Sequence, residues 1–275
     1  MVAVCTCMRD EARDLVIREC VDLDIPLVGF APADRWDDER YSPFVPERFR
    51  PKAIVPETMS VIVLGLPVTL PVLETTPSIW YHELYRTVNS LLDEDGYRIA
   101  LALSAEGHPS VWIPRDGYGS VSILKEKPVA FFSHRHAAFL AGLGNFGISN
   151  MLLTPDFGPR VRFVSVFTSA VIEPDPVLEE PLCTRCMRCV KACPVHALDG
   201  KDYPAGITDK KACATRSEAL FRRDISPCGL CIMVCPVGDD RRVFGREDLK
   251  LYDGTNNRFE RYHRAWNHVR SYGGR

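Results

Sequence analysis

The fold of this chain is decided by one stretch of its sequence, CTRCMRCVKACP at residues 183–194. The stretch places Cys183, Cys186, Cys189 and Cys193 at the spacing C-x2-C-x2-C-x3-C-P. Three closely spaced thiolates of this kind bind one iron-sulfur cluster, while the fourth, turned away by the proline, reaches a second cluster. The stretch therefore predicts two 4Fe-4S clusters and a second cysteine run elsewhere in the chain.

A second run does follow, with Cys228, Cys231 and Cys235 ahead of Pro236. It lacks a cysteine just upstream, and Cys213 is the candidate to replace it. Exchange of the fourth cysteines between the runs gives two ligand sets. The first set is Cys183, Cys186, Cys189 and Cys235, and the second is Cys193, Cys213, Cys228 and Cys231.

Zinc sites and disulfides also use C-x2-C pairs, so both are alternatives. Zinc would favour two separated pairs over a three-cysteine run closed by Cys-Pro, and nothing marks the chain as secreted, which disfavours disulfides. Cys5, Cys7 and Cys20 lie far from both runs in sequence. They are expected to be small buried or incidental thiols, because C-x-C alone is a weak signal.

Composition sets broader limits. The chain has 275 residues, 46% of them hydrophobic, which is enough for one large or two modest domains with a real core. Its net charge of −2 does not indicate a nucleic-acid partner. The N-terminus lacks a basic segment followed by an apolar core, and no apolar stretch reaches the roughly 20 residues that span a bilayer. A cytoplasmic protein without membrane integration is expected.

The sequence before the cysteines alternates between helical and strand patterns, which predicts an α+β fold. Amphipathic helices are predicted at 11–20 and at 81–92, with a second helical stretch after Gly96, and strands at 26–30, 60–66, 111–113 and 161–171. An acidic, proline-rich hinge at 173–181 is the expected domain boundary. The predicted division is 1–175 for a cofactor and substrate domain, 176–240 for a ferredoxin-like domain with two 4Fe-4S clusters, and 241–275 for a helical tail packed back on the body.

Residues 142–147 read GLGNFG, a literal G-x-G-x-x-G. A dinucleotide-binding motif of this form must follow a strand, but the segment before it is predicted to be helical. The loop is instead expected to let a large, flat or phosphate-bearing cofactor lie against the backbone. The tail at 258–271 interleaves arginines with aromatic residues, and helical packing is favoured over nucleic-acid binding.

The glycine loop, the segments Leu152–Pro155 and Gly158–Arg160, and the two cysteine runs in this order resemble epoxyqueuosine reductase and the reductive dehalogenases. The resemblance implies a nitroreductase-like α/β domain that holds a cobalamin, with a flavin as the less favoured alternative, and a ferredoxin-like domain that supplies electrons to it. The implied cofactor contacts are Gly142, Leu143, Gly144, Asn145, Gly147, Thr154 and Arg160. The implied activity is reductive chemistry on a small molecule, with electrons from a low-potential donor such as ferredoxin or flavodoxin.

The catalytic residues are less closely matched. Lys125 stands where epoxyqueuosine reductase carries its acidic proton donor, and the region of that family associated with tRNA is not expected here, so a tRNA substrate is disfavoured. Reductive dehalogenases use a tyrosine with a basic neighbour, and Tyr118 with Lys125 or Arg135 is the matching candidate. Two alternatives stay open: an electron-transfer or activator protein without its own substrate, and epoxyqueuosine reduction on tRNA.

Overall fold

The computed structural model of the chain describes residues 10–41, 45–254 and 256–273. Cys5 and Cys7 lie outside these ranges. A four-stranded sheet has the order β1-β2-β6-β3 and is antiparallel throughout. Its strands are β1 (Leu27–Pro32), β2 (Ser60–Pro67), β3 (Ser110–Ile113) and β6 (Val161–Thr168).

The helices fall into long ones, which cover the sheet or the cysteines, and single turns. The longer helices are α1 (Glu11–Asp22), α4 (Ile79–Ala105), α6 (His134–Leu140), α8 (Lys210–Phe221) and α11 (Glu260–Arg270). The short ones are α2 (Pro51–Ile54), α3 (Leu70–Leu73), α5 (Ile123–Glu126), α7 (Arg188–Ala192), α9 (Leu230–Met233) and α10 (Asp240–Val243). A small hairpin pairs β4 (Asn145–Phe146) with β5 (Leu152–Leu153).

The sheet is buried on both faces. Ile62 and Leu64 point to the side covered by α1 and α4, whereas Val61 and Val63 point to the side covered by α6. All four side chains are 0% exposed. This two-sided burial explains why β2 reads as one continuous apolar run rather than an alternation, although its neighbours are antiparallel.

Helix α4 differs from the sequence expectation of a break at Gly96, since it runs without interruption through that residue. A β-carbon at Gly96 would lie 3.3 Å from side-chain atoms of Val164 on β6 and Trp112 on β3. Glycine therefore serves here to bring the helix close to the sheet. Tertiary packing outweighs the cost of about 1 kcal/mol that glycine carries in a helix interior.

The expected hinge at 173–181 has no helix or strand, yet it is bound to the body. The carboxylate of Asp175 accepts from the backbone N–H of Phe30 at 2.9 Å and pairs with Arg13 at 2.7 Å. Downstream, Ile232 and Met233 pack in one apolar cluster with Leu73 and Tyr81. The proposed domain boundaries remain a prediction.

The tail helix α11 contacts the first half of the chain through Arg270. This side chain donates to the backbone carbonyls of Glu74, Thr75 and Thr76. The helices within the described ranges include none that is long and apolar enough to cross a membrane.

Candidate iron-sulfur centres and active site

Four cysteines line one cavity, and they are the four of the first predicted ligand set. Cys183, Cys186, Cys189 and Cys235 share this cavity with Gly147–Ser149, Leu153 and Pro236–Val237. We call these four cysteines the first cysteine group. Thiols at this spacing are the donor set of a 4Fe-4S cluster, so the residues present fit that group.

Backbone conformation turns the three local cysteines of this group toward one cavity. Arg185 and Met187 adopt left-handed backbone angles, with φ of 51° and 59°, and helix α7 begins directly afterwards. Such angles are uncommon for residues other than glycine, so they persist only where surrounding structure fixes the loop. The conformation of this loop is thus tied to the close spacing of its three cysteines.

The distant ligand, Cys235, is positioned by two buried arginines. Arg160 donates to the carbonyl of Cys235 at 3.1 Å and to that of Val237 at 2.6 Å. It also pairs with Asp240 through two contacts of 2.6 and 2.7 Å. Arg241 donates to the same Cys235 carbonyl at 2.6 Å. The return of the chain to the first cysteine group is therefore held by charge-assisted hydrogen bonds.

The remaining predicted ligands form the second cysteine group, which consists of Cys193, Cys213, Cys228 and Cys231. The pKa of Cys231 is raised to about 12, mainly by burial and in addition by the charges of the other three thiols and of Cys189. Burial likewise raises the pKa of Cys213, and Cys228 and Cys193 add to the effect. Such mutual influence requires that the thiols lie near one another.

Cys189 of the first group also raises the pKa of Cys231, which belongs to the second group. The two groups therefore lie close to each other at these residues. The structure thus brings together both sets of four, including the crossed fourth ligands Cys193 and Cys235. It forms no disulfide among the nine described cysteines, and Cys20 is buried in the core beneath α1 and α4.

Segment 76–82 of the first half holds the loop of the second cysteine group. Thr76 donates its hydroxyl to the carbonyl of Cys228 at 2.6 Å, and His82 Nδ1 lies 2.6 Å from the carbonyl of Ser226. On the other side of the group, the backbone N–H of Ala197 donates to Cys193 Sγ at 3.3 Å.

The glycine loop differs from the expected open cofactor cradle. A β-carbon at Gly142 would overlap the carbonyl of Pro176 in the hinge, and one at Gly144 would overlap the carbonyl of Leu153. At Gly147 a β-carbon would lie 3.5 Å from Cys183 Sγ. The glycines therefore let the hinge, strand β5 and the first cysteine group approach the loop closely.

The other implied cofactor contacts are also committed to the protein. Asn145 donates to the carbonyl of Glu180 at 2.6 Å and accepts from the N–H of Leu182 at 3.1 Å, just before Cys183. Thr154 and Arg160 are both 0% exposed. Leu143 is partly buried and packs against the apolar cluster on the α6 side of the sheet. These residues attach the cysteine region to the first half, and they do not fit an exposed cobalamin site.

Tyr118 lies in a different polar site, together with Tyr85, Asp116 and Arg162, which we call the tyrosine–arginine site. The Arg162 guanidinium stacks over the Tyr85 ring at 4.7 Å and lies 3.6 Å from Asp116. Burial raises the pKa of Tyr118, Tyr85 and Asp116 raise it further, and the charge of Arg162 opposes them. Tyr118 therefore holds its proton at neutral pH beside a cation.

The basic neighbours expected for Tyr118 are engaged elsewhere. Lys125 pairs with Glu218 of α8 at 2.7 Å, which joins α5 to the cysteine region. Arg135 donates to the carbonyl of Asn150, and burial lowers its pKa. Its charge acts on Cys213, so Arg135 lies by the second cysteine group.

Tyr81 joins the tyrosine–arginine site to the second cysteine group. It is 2% exposed, and burial raises its pKa. Its ring centroid lies 6.4 Å from that of Tyr85, and its apolar cluster packs against Cys231. Sequence reasoning assigned no role to Tyr81, Tyr85, Asp116 or Arg162. Tyr81 and Tyr85 lie on α4 and Arg162 on β6, whereas Asp116 lies in the loop after β3, so the four share no local sequence signal.

Comparisons with known proteins agree with this arrangement. Residues 182–238 match a 4Fe-4S dicluster domain family. The chain is 26% identical over 215 residues to a tetrachloroethene reductive dehalogenase of Desulfitobacterium hafniense, covering 72% of this chain and 34% of that protein. It is 31% identical over 118 residues to an epoxyqueuosine reductase of Listeria monocytogenes, covering 40% of this chain and 31% of that protein.

Solved structures show the same relation at the level of the fold. A reductive dehalogenase described with a mechanism for B12-dependent dehalogenation matches 86% of this chain and 35% of its own, with a TM-score of 0.62 and 17% identity. An epoxyqueuosine reductase with an epoxyqueuosine-modified tRNA stem loop matches 82% and 65%, with a TM-score of 0.55 and 18% identity.

The chain spans about a third of the length of the reductive dehalogenases that it matches in sequence. The matches include both reductive dehalogenases and epoxyqueuosine reductases, and the iron-sulfur domain covers the two cysteine groups. This chain is therefore related to the reductive dehalogenases and epoxyqueuosine reductases and carries a 4Fe-4S dicluster domain.

Proposed function

We propose that this chain is an iron-sulfur reductase whose two clusters relay low-potential electrons to an active site at Tyr118 and Arg162. The observation that supports the proposal is the position of Tyr81, whose ring centroid lies 6.4 Å from that of Tyr85 and whose apolar cluster packs against Cys231 of the second cysteine group. The reaction would be the reductive conversion of a small molecule. A nitroreductase-like arrangement of the first 175 residues is part of this proposal.

The proposed direction of the relay rests on the second cysteine group, because the apolar cluster of Tyr81 packs against Cys231. Exposure does not separate the groups, since Cys186 of the first and Cys213 of the second are both exposed. In this proposal a donor such as ferredoxin or flavodoxin reduces the first cluster. Electrons would cross between the groups where Cys189 approaches Cys231, and would leave from the second cluster.

Cobalamin is the proposed acceptor, because a dehalogenase of the same fold is described as B12-dependent. The glycine-loop residues do not fit it, so in this proposal its contacts come from other residues. Tyr118 supplies a proton held at a raised pKa. Arg162 would stabilise the tyrosinate left when the proton moves to substrate, since an adjacent cation favours the charged form.

Anaerobic reconstitution with iron and sulfide, followed by electron paramagnetic resonance (EPR) and metal analysis, tests the clusters. Gel filtration in the presence of hydroxocobalamin then tests the acceptor. We expect two reducible 4Fe-4S clusters and stoichiometric corrinoid. Arg162→Gln should lower the rate of substrate reduction, because the tyrosinate of Tyr118 loses its neighbouring cation, while Arg86→Gln, whose side chain is 66% exposed on α4, should not.

Two clusters without any corrinoid retention would favour the alternative of an electron-transfer or activator protein that serves a partner enzyme. Position 125 agrees with that alternative, because Lys125 stands where epoxyqueuosine reductase carries its acidic proton donor. The lysine is engaged in an ion pair with Glu218. Absence of both clusters after reconstitution would refute the reductase itself.

Epoxyqueuosine reduction on tRNA is a second candidate. A neighbour of the same fold is described with a tRNA stem loop, and Arg258 and Arg264 at the tail helix are both 75% exposed. Filter binding of tRNA should then weaken with salt and with loss of these arginines. Arg222→Ala is the matched control, because Arg222, the C-cap residue of α8, is 73% exposed. Absence of binding at low salt would exclude this candidate.

A further inference from the structure

Helix α8 carries a ligand of the second cysteine group and a cation on the same face. Cys213 and Arg216 are three residues apart, a spacing that places side chains next to each other on a helix. Asp209 caps the helix by accepting from the N–H of Ala212 at 2.9 Å, so the first turn that contains Cys213 is fixed.

Arg216 points toward the thiols. Its Nε donates to Cys228 Sγ at 3.3 Å, and the side chain is partly buried. Arg222, the C-cap residue of this helix, is by contrast 73% exposed and pairs with Glu218 at 3.2 Å. A neutral thiol is a weak acceptor, whereas the sulfur of a cluster thiolate carries negative charge. The contact of Arg216 therefore suits a cluster ligand.

Reduction makes such a contact stronger. A 4Fe-4S cluster gains one electron, and so one negative charge, without gain or loss of bonds to its thiolates. Hydrogen bonds to the sulfurs and nearby net charge are the features that set cluster potentials. A buried guanidinium that donates to one ligand stabilises the reduced state more than the oxidised state, and raises the potential.

Other groups act on the two clusters as well, so the effect of Arg216 must be separated from theirs. The charge of Arg135 acts on Cys213, and the N–H of Ala197 donates to Cys193 Sγ at 3.3 Å. Arg160 and Arg241 act on Cys235 of the first group. Among the hydrogen bonds of the described residues, Arg216 donates only to Cys228, a ligand of the second set. Its removal should therefore change the reduction potential of one cluster.

We propose that Arg216 is a positioning residue that tunes the second cluster and raises its reduction potential through the Nε–H···S bond to Cys228. The inference rests on the proposed function, because it requires the cluster to be present. It makes the second cluster a better electron acceptor from the first, at the step before electrons reach the tyrosine–arginine site.

The test is an EPR-monitored redox titration of the reconstituted protein, with dithionite as the electron source. The signal lost in Cys213→Ser identifies the second cluster. We expect Arg216→Gln to lower the equilibrium constant for its reduction by at least tenfold, which is about 59 mV for one electron. Arg216→Lys, which keeps the charge, should lower it less, and Arg222→Gln should leave both clusters unchanged.

Unchanged potentials in Arg216→Gln, or equal shifts of both clusters, would overturn the proposal. Loss of the second cluster in the Gln variant, with normal content and potential in the Lys variant, would assign Arg216 a purely structural role and overturn it too. A wild-type protein that forms no cluster would instead refute the proposed function, so the two failures are distinguishable.

Discussion

Replacement of Asp240 by asparagine isolates the buried ion pair behind Cys235. The Arg160 and Asp240 side chains are 0% and 6% exposed, and they are joined by contacts of 2.6 and 2.7 Å. The substitution keeps the size of the side chain but leaves the Arg160 charge uncompensated. Removal of one partner of a buried pair costs about 3–5 kcal/mol.

That cost can be expressed as a melting temperature. An unfolding entropy of about 2.1 cal/mol/K per residue over 275 residues gives roughly 0.6 kcal/mol per degree. The expected decrease in Tm is therefore about 5–9 °C. Because Arg160 also holds the carbonyls of Cys235 and Val237, Asp240→Asn should lower the iron content of the first cluster as well.

The assay is thermal unfolding followed by circular dichroism on anaerobically reconstituted protein, with iron determined on the same samples. Asp239→Asn is the matched control, because Asp239 is the adjacent residue and is exposed. Arg160→Met combined with Asp240→Leu should recover only part of the stability, since the carbonyls held by Arg160 lose their donor. A Tm and iron content of Asp240→Asn equal to those of the control would refute this account of the ion pair.

Three further predictions concern separate parts of the chain. Cys213→Ser should abolish the second cluster and spare the first, whereas Cys20→Ser, in the apolar core, should leave the iron content unchanged; intact spectra in both would refute the assignment of Cys213. Burial lowers the pKa of His134 from 6.5 to about 4, so the unfolded chain binds more protons than the folded chain between these two pH values. The free energy of unfolding should therefore fall by roughly 3 kcal/mol as the pH decreases from 6.5 toward 4. His134→Gln should flatten the dependence of Tm on pH over this window. Gly144→Ala should lower Tm strongly because its β-carbon would overlap the Leu153 carbonyl, while Gly254→Ala meets nothing within 4 Å and should be nearly neutral; equal melting temperatures would contradict the packing described for the glycine loop.

The cysteine groups could be predicted because ligand spacing is a local property. Cys183, Cys186 and Cys189 lie within one loop, and the crossed roles of Cys193 and Cys235 follow from the proline after each. Helix α1 and the buried strands were predicted for the same reason, since periodicity is written in adjacent residues.

The tyrosine–arginine site could not be predicted in this way. Tyr85 lies on α4, Tyr118 in a loop and Arg162 on β6, and only the packing of α4 on the sheet brings them together. The sequence also misled at Gly96 and in the glycine loop. At both, glycine was interpreted as a break or a cofactor contact, whereas the structure uses it for close approach between parts of the chain.

The contacts of the C-terminal tail bear on whether the cysteine region can be separated from the rest. Arg246 pairs with the fully buried Glu74 at 2.8 Å, and Arg270 binds the carbonyls of 74–76. Thr76, at the end of that segment, donates its hydroxyl to the backbone carbonyl of Cys228. A fragment cut at 182–238 would contain every predicted cluster ligand and still lack the supports on both sides. We therefore expect the dicluster region of this chain not to be transferable as a module, because residues at the far end of the sequence help to set the shape of cysteine groups that they do not touch.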